Sequence, residues 1–290
     1  MYPDAPNPIQ IQFAPLNEGE KCKPRLPPLI LIHDSSGTTF NYFALGDLDR
    51  DVWAIHDPNY WEASAWEGGL DEMASHYVQL IEAVGISGPV VLGGWSFGGF
   101  VAIAMARILA AGTTSIAITA LLLIDSPYVF SPSHIDPTLS NTTGPDLQPA
   151  PLNDLPDLAL KSMVRSDIML ENWNLPTWER EGSENNRHLA NLPTHEKSED
   201  RQVKCVEQNS NLENRDSGLK STGPPPALLV RCRRYVDDQY NSSNVCLVDL
   251  HRHEKLLGWE NGHPGFIKAV VEVDADHYNI FDINDISKCA

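Results

Sequence analysis

Apolar residues along this chain fall into short unbroken blocks, and between the blocks they recur at helical spacing. The blocks at residues 28–33 (PLILIH), 51–56 (DVWAIH), 89–94 (PVVLGG), 119–124 (TALLLI), 226–231 (PALLVR) and 268–273 (KAVVEV) predict strands. Residues 9–13 (IQIQF) alternate apolar with polar and predict an edge strand. Leu70, Met73, Ala74, Tyr77, Leu80, Ile81 and Val84 follow one helical face, and Gly85 ends the run. A second, more uniformly apolar helix is predicted from about residue 98 to 111, closed by Gly112. Continuously apolar strands alternating with helices imply a mostly parallel sheet with helices on both faces.

The pattern breaks after Tyr128. Residues 131–225 are rich in Pro, Asn, Ser, Asp and Glu, with weak helical patterns at 152–164 and 168–173. A segment this long between two sheet strands reads as a lid inserted at about 128–225 into a single domain spanning 1–290. No internal repeat is visible.

Composition narrows the class. The chain has 290 residues and is 42% hydrophobic, enough for a full core. Its formal net charge of -18 argues against nucleic acid and against anionic membrane surfaces as partners. No apolar run is long enough to span a bilayer, and the opening MYPDAPNPIQ lacks a secretory pattern. Cys22, Cys205, Cys232, Cys246 and Cys289 are odd in number and form no CxxC pair, which suggests reduced thiols and a cytoplasmic setting. No metal-ligand cluster is apparent. His251 and His253 lie close together but read as residues of a solvated loop.

The candidate chemistry starts at Gly94-Trp95-Ser96-Phe97-Gly98, a G-x-S-x-G sequence that follows an apolar strand and opens an apolar helix. That context marks a nucleophile elbow of the α/β-hydrolase fold. A sharp turn exposes the Ser96 hydroxyl at a helix N-terminus, where backbone N–H groups meet developing negative charge. A serine hydroxyl needs a base, and histidine titrates in the right range. His277 follows the last predicted strand and precedes Ile280-Phe281, where a final helix is expected to begin. His251, His253 and His263 lie in polar stretches. Two positions compete for the acid that orients the base. Asp125 ends the strand directly after the nucleophile helix, whereas Asp237 and Asp238 follow the strand at 226–231. Residue by residue, Asp125 is favoured only slightly.

Six pieces of the chain, in order, resemble the thioesterase domains of fungal polyketide and non-ribosomal peptide synthases. They are LILIHDSSGTTFNYFAL, VWAI, GPVVLGGWSFGG, LLLIDSP, LLGWE and DADHYNIF. In that family the acid follows the strand after the nucleophile helix, so the resemblance selects Asp125. It implies a Ser96, Asp125 and His277 triad. It also implies an oxyanion hole formed by the backbone N–H groups of Phe97 and Asp34. An acidic side chain at Asp34 is electrostatically unexpected in that place, unless the carboxylate turns away. The lid would shape the acyl chamber, with Met163, Met169 and Trp173 as candidate substrate-binding residues and Leu170 and Trp178 nearby.

The implied reaction is release or editing of an acyl chain held as a thioester. The chain would be carried on the phosphopantetheine of an acyl carrier protein or of a polyketide or peptide synthase, and the enzyme would need no cofactor of its own. A free carboxylesterase acting on soluble esters is one alternative. An inactive hydrolase-like binding protein is the other, although such a protein usually lacks a triad member.

Overall fold

A computed structural model describes residues 5–15, 25–128, 155–175, 178, 223–236 and 246–282. By contacts the chain divides into two compact units, residues 1–177 with 224–290 and residues 178–223. The larger unit holds one seven-stranded sheet. Its strands are β1 (Ile9–Gln12), β2 (Leu29–Ile32), β3 (Val52–Ile55), β4 (Gly88–Trp95), β5 (Ile116–Ile124), β6 (Ala227–Cys232) and β7 (Ile267–Val273). Their order across the sheet is β1-β3-β2-β4-β5-β6-β7. Only β1 runs antiparallel to its neighbour, β3. The sheet is therefore the α/β-hydrolase type expected.

Strand burial follows position. Every residue of the central β2 is buried, and Val90, Leu92, Leu121 and Leu123 of β4 and β5 are fully enclosed. The edge strand β7 is far less enclosed, and only Val273 at its end is buried. It has one neighbour, so its outer side meets water.

α1 (Gly69–Ala83) turns Leu70, Met73, Ala74, Tyr77, Val78 and Ile81 inward. It packs on α2 (Phe97–Ala111), which lies against β2, β4 and β5. Because α2 sits between α1 and the sheet, it is buried almost all round, and its apolar character is not confined to one stripe. On the other face, Leu29, Leu31, Val52, Ala54, Trp95 and Ile124 form a cluster with Tyr42, Ala275 and Ile280. Tyr42 comes from a 3-10 turn, Phe40–Ala44.

One expectation changes. The separate helical patterns at 152–164 and 168–173 join into one helix, α3 (Leu155–Glu171). No glycine or proline interrupts residues 157–171, and the polar residues between the patterns are held by the core. Arg165 pairs with Asp57 at 3.3 Å, and the Ser166 hydroxyl donates to the Ser35 carbonyl at 3.4 Å. The final helix expected to begin at Ile280-Phe281 would run through residues 283–290, which lie outside the described residues; Ile280 and Phe281 themselves stand in a turn. The segment turns back through bonds from Asn279 N to Asp276 O and from Asp282 N to Asn279 O. Its apolar side chains instead fill the cluster beside Trp95. Most of the expected lid lies outside the described residues, as do Asp237 and Asp238.

Candidate active site

The candidate residues lie at the carboxyl ends of the parallel strands, where the topology of such sheets favours a site. β4 ends one residue before Ser96, which takes φ 53° and ψ -117° and leads directly into α2. A positive φ in a non-glycine residue is strained and persists only where the surroundings impose it. They do so through glycine. A side chain at Gly94 would collide with the backbone of Gly98, and one at Gly98 with the carbonyls of Ile32 and His33. The glycines therefore let the first turn of α2 press against the end of β2.

Asp125 follows β5, also with a positive φ of 48°, and its N–H donates to the Val230 carbonyl at 2.7 Å. The next residue ties this turn to the elbow, since the Ser126 hydroxyl donates to the Ser96 carbonyl at 2.8 Å. Trp259 holds it from the other side through its indole N–H on the Ser126 carbonyl, 2.9 Å away. α4 (Trp259–Gly262), which carries this tryptophan, is a single turn.

His277 sits in the loop after β7. Asp276 shapes that loop by accepting the backbone N–H groups of Tyr278 and Asn279 at 3.1 and 3.2 Å. The Asp276 carbonyl accepts the Cys232 thiol at 3.3 Å, which anchors the loop to β6. The indole of Trp95 lies 5.3 Å from the imidazole between ring centres.

These elements bring the three predicted residues together. His277 Nε2 is 3.0 Å from Ser96 Oγ, and His277 Nδ1 is 2.8 Å from Asp125 Oδ2. The three lie 152 and 181 positions apart in sequence along those two bonds. Burial opposes ionisation of Asp125, but hydrogen bonds from His277 and Arg252 outweigh it and hold the carboxyl well below the usual carboxylate range.

The Asp34 backbone follows β2 beside the elbow. Its carboxylate accepts the Ser36 N–H at 2.8 Å and the Ser36 hydroxyl, so it is tied to its own loop. Burial raises its pKa, with the Ser36 bonds and the charge of His277 pulling the other way. His33 is completely buried between the Tyr77 hydroxyl at Nε2 and the Asp34 carbonyl at Nδ1, each 2.6 Å away.

Of the candidate substrate residues, Met169 and Trp173 line a cavity of about 370 Å³ between the start of α1 and the end of α3. Trp66, Leu70 and Ile168 complete its apolar wall. Phe100, one turn beyond Ser96, meets Trp173 edge-on at 6.4 Å. Met163 is not part of that lining and is more than a third exposed. Among the described residues, no group of three or more His, Cys, Asp or Glu is placed to hold a metal ion. No helix among them is long and apolar enough to cross a membrane.

Sequence reasoning missed Arg252. Its guanidinium grips both oxygens of Asp125 at 2.6 and 2.8 Å. His251 is not a loop residue but ends a 3-10 turn, Leu247–His251, and bonds Glu254 at 2.8 Å. The only local signal for this arrangement was the three-residue spacing of Asp249 and Arg252, which the chain shares with countless surface pairs.

Residues 27–169 match the family model described as Thioesterase domain. A probable thioesterase of Curvularia clavata is 38% identical over 97% of this chain and 92% of its own length. A probable thioesterase of Purpureocillium lilacinum is also 38% identical, with the same coverage of both chains. Among solved structures, the thioesterase domain of NocB from the nocardicin cluster superposes with a TM-score of 0.52 at 18% identity, covering 90% of this chain and 92% of that one. A segment making up 19% of a four-domain nonribosomal peptide synthetase, holo-AB3403, superposes on 97% of this chain with a TM-score of 0.56 at 20% identity. The structural matches give the fold, and the sequence matches place this chain in the thioesterase family, α/β-hydrolase enzymes that cleave thioesters.

Proposed function

We propose that this thioesterase releases or edits a polyketide- or peptide-type acyl chain held on a carrier-protein thioester, through an acyl-enzyme on Ser96. The observation that carries the reading is the position of His277, within hydrogen-bond distance of the Ser96 hydroxyl on one side and of the Asp125 carboxylate on the other.

His277 Nε2 takes the Ser96 proton as Oγ attacks the thioester carbon, while Asp125 holds Nδ1–H and balances the imidazolium. The oxyanion meets the Phe97 N–H, which belongs to the first residue of α2 and has no intrahelical carbonyl to serve. The Asp34 N–H, on the neighbouring loop, is the second donor. The tether from Ser36 supports this assignment, because it keeps the Asp34 carboxylate engaged elsewhere. The thiol departs with the imidazolium proton, leaving the acyl-enzyme. Water then hydrolyses it, or a nucleophile within the chain closes a ring.

The phosphopantetheine arm belongs to the substrate, and the triad itself needs no cofactor. The partner is an acyl carrier protein or a polyketide or peptide synthase, consistent with relatives such as the thioesterase frbE and the nonribosomal peptide synthetase imqB of Aspergillus flavus.

The test is intact-protein mass spectrometry after mixing with acyl-N-acetylcysteamine thioesters. Wild type acquires the acyl mass and Ser96→Ala does not. Turnover of simple aryl esters without any thioester adduct would instead indicate a carboxylesterase. Silence toward both would indicate a binding protein.

A further inference from the structure

Asp125 is not a lone carboxylate. It is fully enclosed, and besides His277 it accepts the Cys232 N–H at 2.8 Å and both ends of the Arg252 fork. The Arg252 side chain is itself only 1% exposed. Two further donors are engaged as well: Nε on Asp249 Oδ1 at 3.1 Å, and Nη1 also on the Cys232 carbonyl at 2.8 Å. Asp249 in turn accepts the Val236 N–H at 2.9 Å.

This arrangement poses an electrostatic problem. A triad acid works by facing the imidazolium with an uncompensated negative charge. A guanidinium bonded to both of its oxygens cancels that charge. Asp249 restores it, because the set Asp249, Arg252 and Asp125 carries one net negative charge, as a solitary aspartate would. The gain is geometric. A bidentate guanidinium–carboxylate pair is planar and directional, so it fixes the rotation of the carboxylate in a way one backbone N–H cannot.

We infer that Arg252 is a positioning residue of the triad, clamping the Asp125 carboxylate toward His277, and that Asp249 supplies the charge the clamp removes. The inference rests on the reading of Ser96, His277 and Asp125 as the catalytic set. Among the described residues, the other charged or titratable groups facing this cluster are Asp34 from the loop after β2, Arg231, which donates to the Arg252 carbonyl, Cys232 at the end of β6, Asp276 and Tyr278 beside His277, Asp167 beside Tyr278, and Cys246 beside Asp249. None of these lies on the guanidinium–carboxylate axis in the way Asp249 does.

The full-length protein is assayed on an acyl-N-acetylcysteamine thioester across pH, with Arg252→Gln, Arg252→Lys, Asp249→Asn and Ser96→Ala. Arg252→Gln is expected to lower kcat on the order of 10- to 100-fold with KM little changed, because a loosened acid misplaces the base. Arg252→Lys, which keeps the charge but not the fork, restores less than half of that loss. The acid limb of the pH–rate profile moves in opposite directions. It shifts to lower pH by about one unit in Asp249→Asn, where an uncompensated guanidinium faces the site, and to higher pH in Arg252→Gln. A merely structural pair would change only the folded fraction, scaling kcat and leaving both limbs in place, and that result overturns the inference. Asp249→Asn is nearly isosteric and decides the matter if Arg252→Gln does not fold. Full activity in Ser96→Ala would instead remove the catalytic reading itself, whatever the other variants do.

Discussion

The hydroxyl of Tyr42 accepts the backbone N–H of Trp95 at 2.9 Å and donates to the Ile32 carbonyl at 2.5 Å. One phenol thus spans the ends of β2 and β4 at the residue preceding Ser96, and burial, aided by the charge of Asp34 and only partly opposed by the Trp95 N–H, keeps it protonated far above the ordinary tyrosine range. Tyr42→Phe leaves the shape and removes the bridge, stranding a buried donor and a buried acceptor. The expected cost is about 1–3 kcal/mol of stability, read by urea unfolding. Single-turnover acylation should slow as well, since the Trp95–Ser96 backbone loses its tether.

Asp125→Asn keeps the volume of the acid but presents an amide to His277 Nδ1. It also places that amide against the Arg252 guanidinium, which can only donate. Acylation is expected to fall on the order of 10³- to 10⁴-fold. A loss of less than tenfold, measured with the same thioester, would remove Asp125 from the catalytic role.

His56 gives a stability signature in acid. Burial, with a smaller contribution from His33, lowers its pKa to about 4. An unfolded histidine titrates near 6.5, so below that pH the unfolded chain takes up a proton the folded one refuses. The stability His56 contributes is present above pH 6.5 and is lost as pH falls toward 4, amounting to on the order of 2–3 kcal/mol. Unfolding midpoints at pH 7 and pH 4.5 should therefore differ less in His56→Gln than in wild type. Equal differences would show that His56 does not carry the effect.

Gly98→Ala puts a methyl group into the carbonyls that end β2. Neither the strand nor the elbow has room to yield, so a loss of about 3 kcal/mol or more is expected. Gly112→Ala is the control. Its φ of -81° suits alanine, and a methyl there meets neighbours only at ordinary contact distances. It should fall within about 0.5 kcal/mol of wild type by thermal unfolding.

Much of the site was legible because it depends on local chemistry. The blocks LILI, VVLGG and ALLLI could only be buried strands, since nothing in them suits water. The glycines around Ser96 announced a turn too tight for side chains. Asp125 directly follows one apolar block and His277 lies four residues after another, and strand ends at one edge of a parallel sheet necessarily converge. The single helix α3 was read as two patterns because its middle, Arg165 and Ser166, is polar for a reason found elsewhere, on Asp57 and Ser35.

The sequence by itself determined the strand and helix segments and the turn at Ser96, set by the period of burial and by backbone sterics within a few residues, while the choice of Asp125 over Asp237 and Asp238 came from the family resemblance. Tertiary structure alone decided which side chains surround Ser96, Asp125 and His277. Arg252 meets Asp125 across 127 positions and Tyr42 reaches Trp95 across 53. Long-range partners of this kind leave no spacing to read, because their geometry arises only when the sheet brings its strand ends together and a buried charge must find its counterpart.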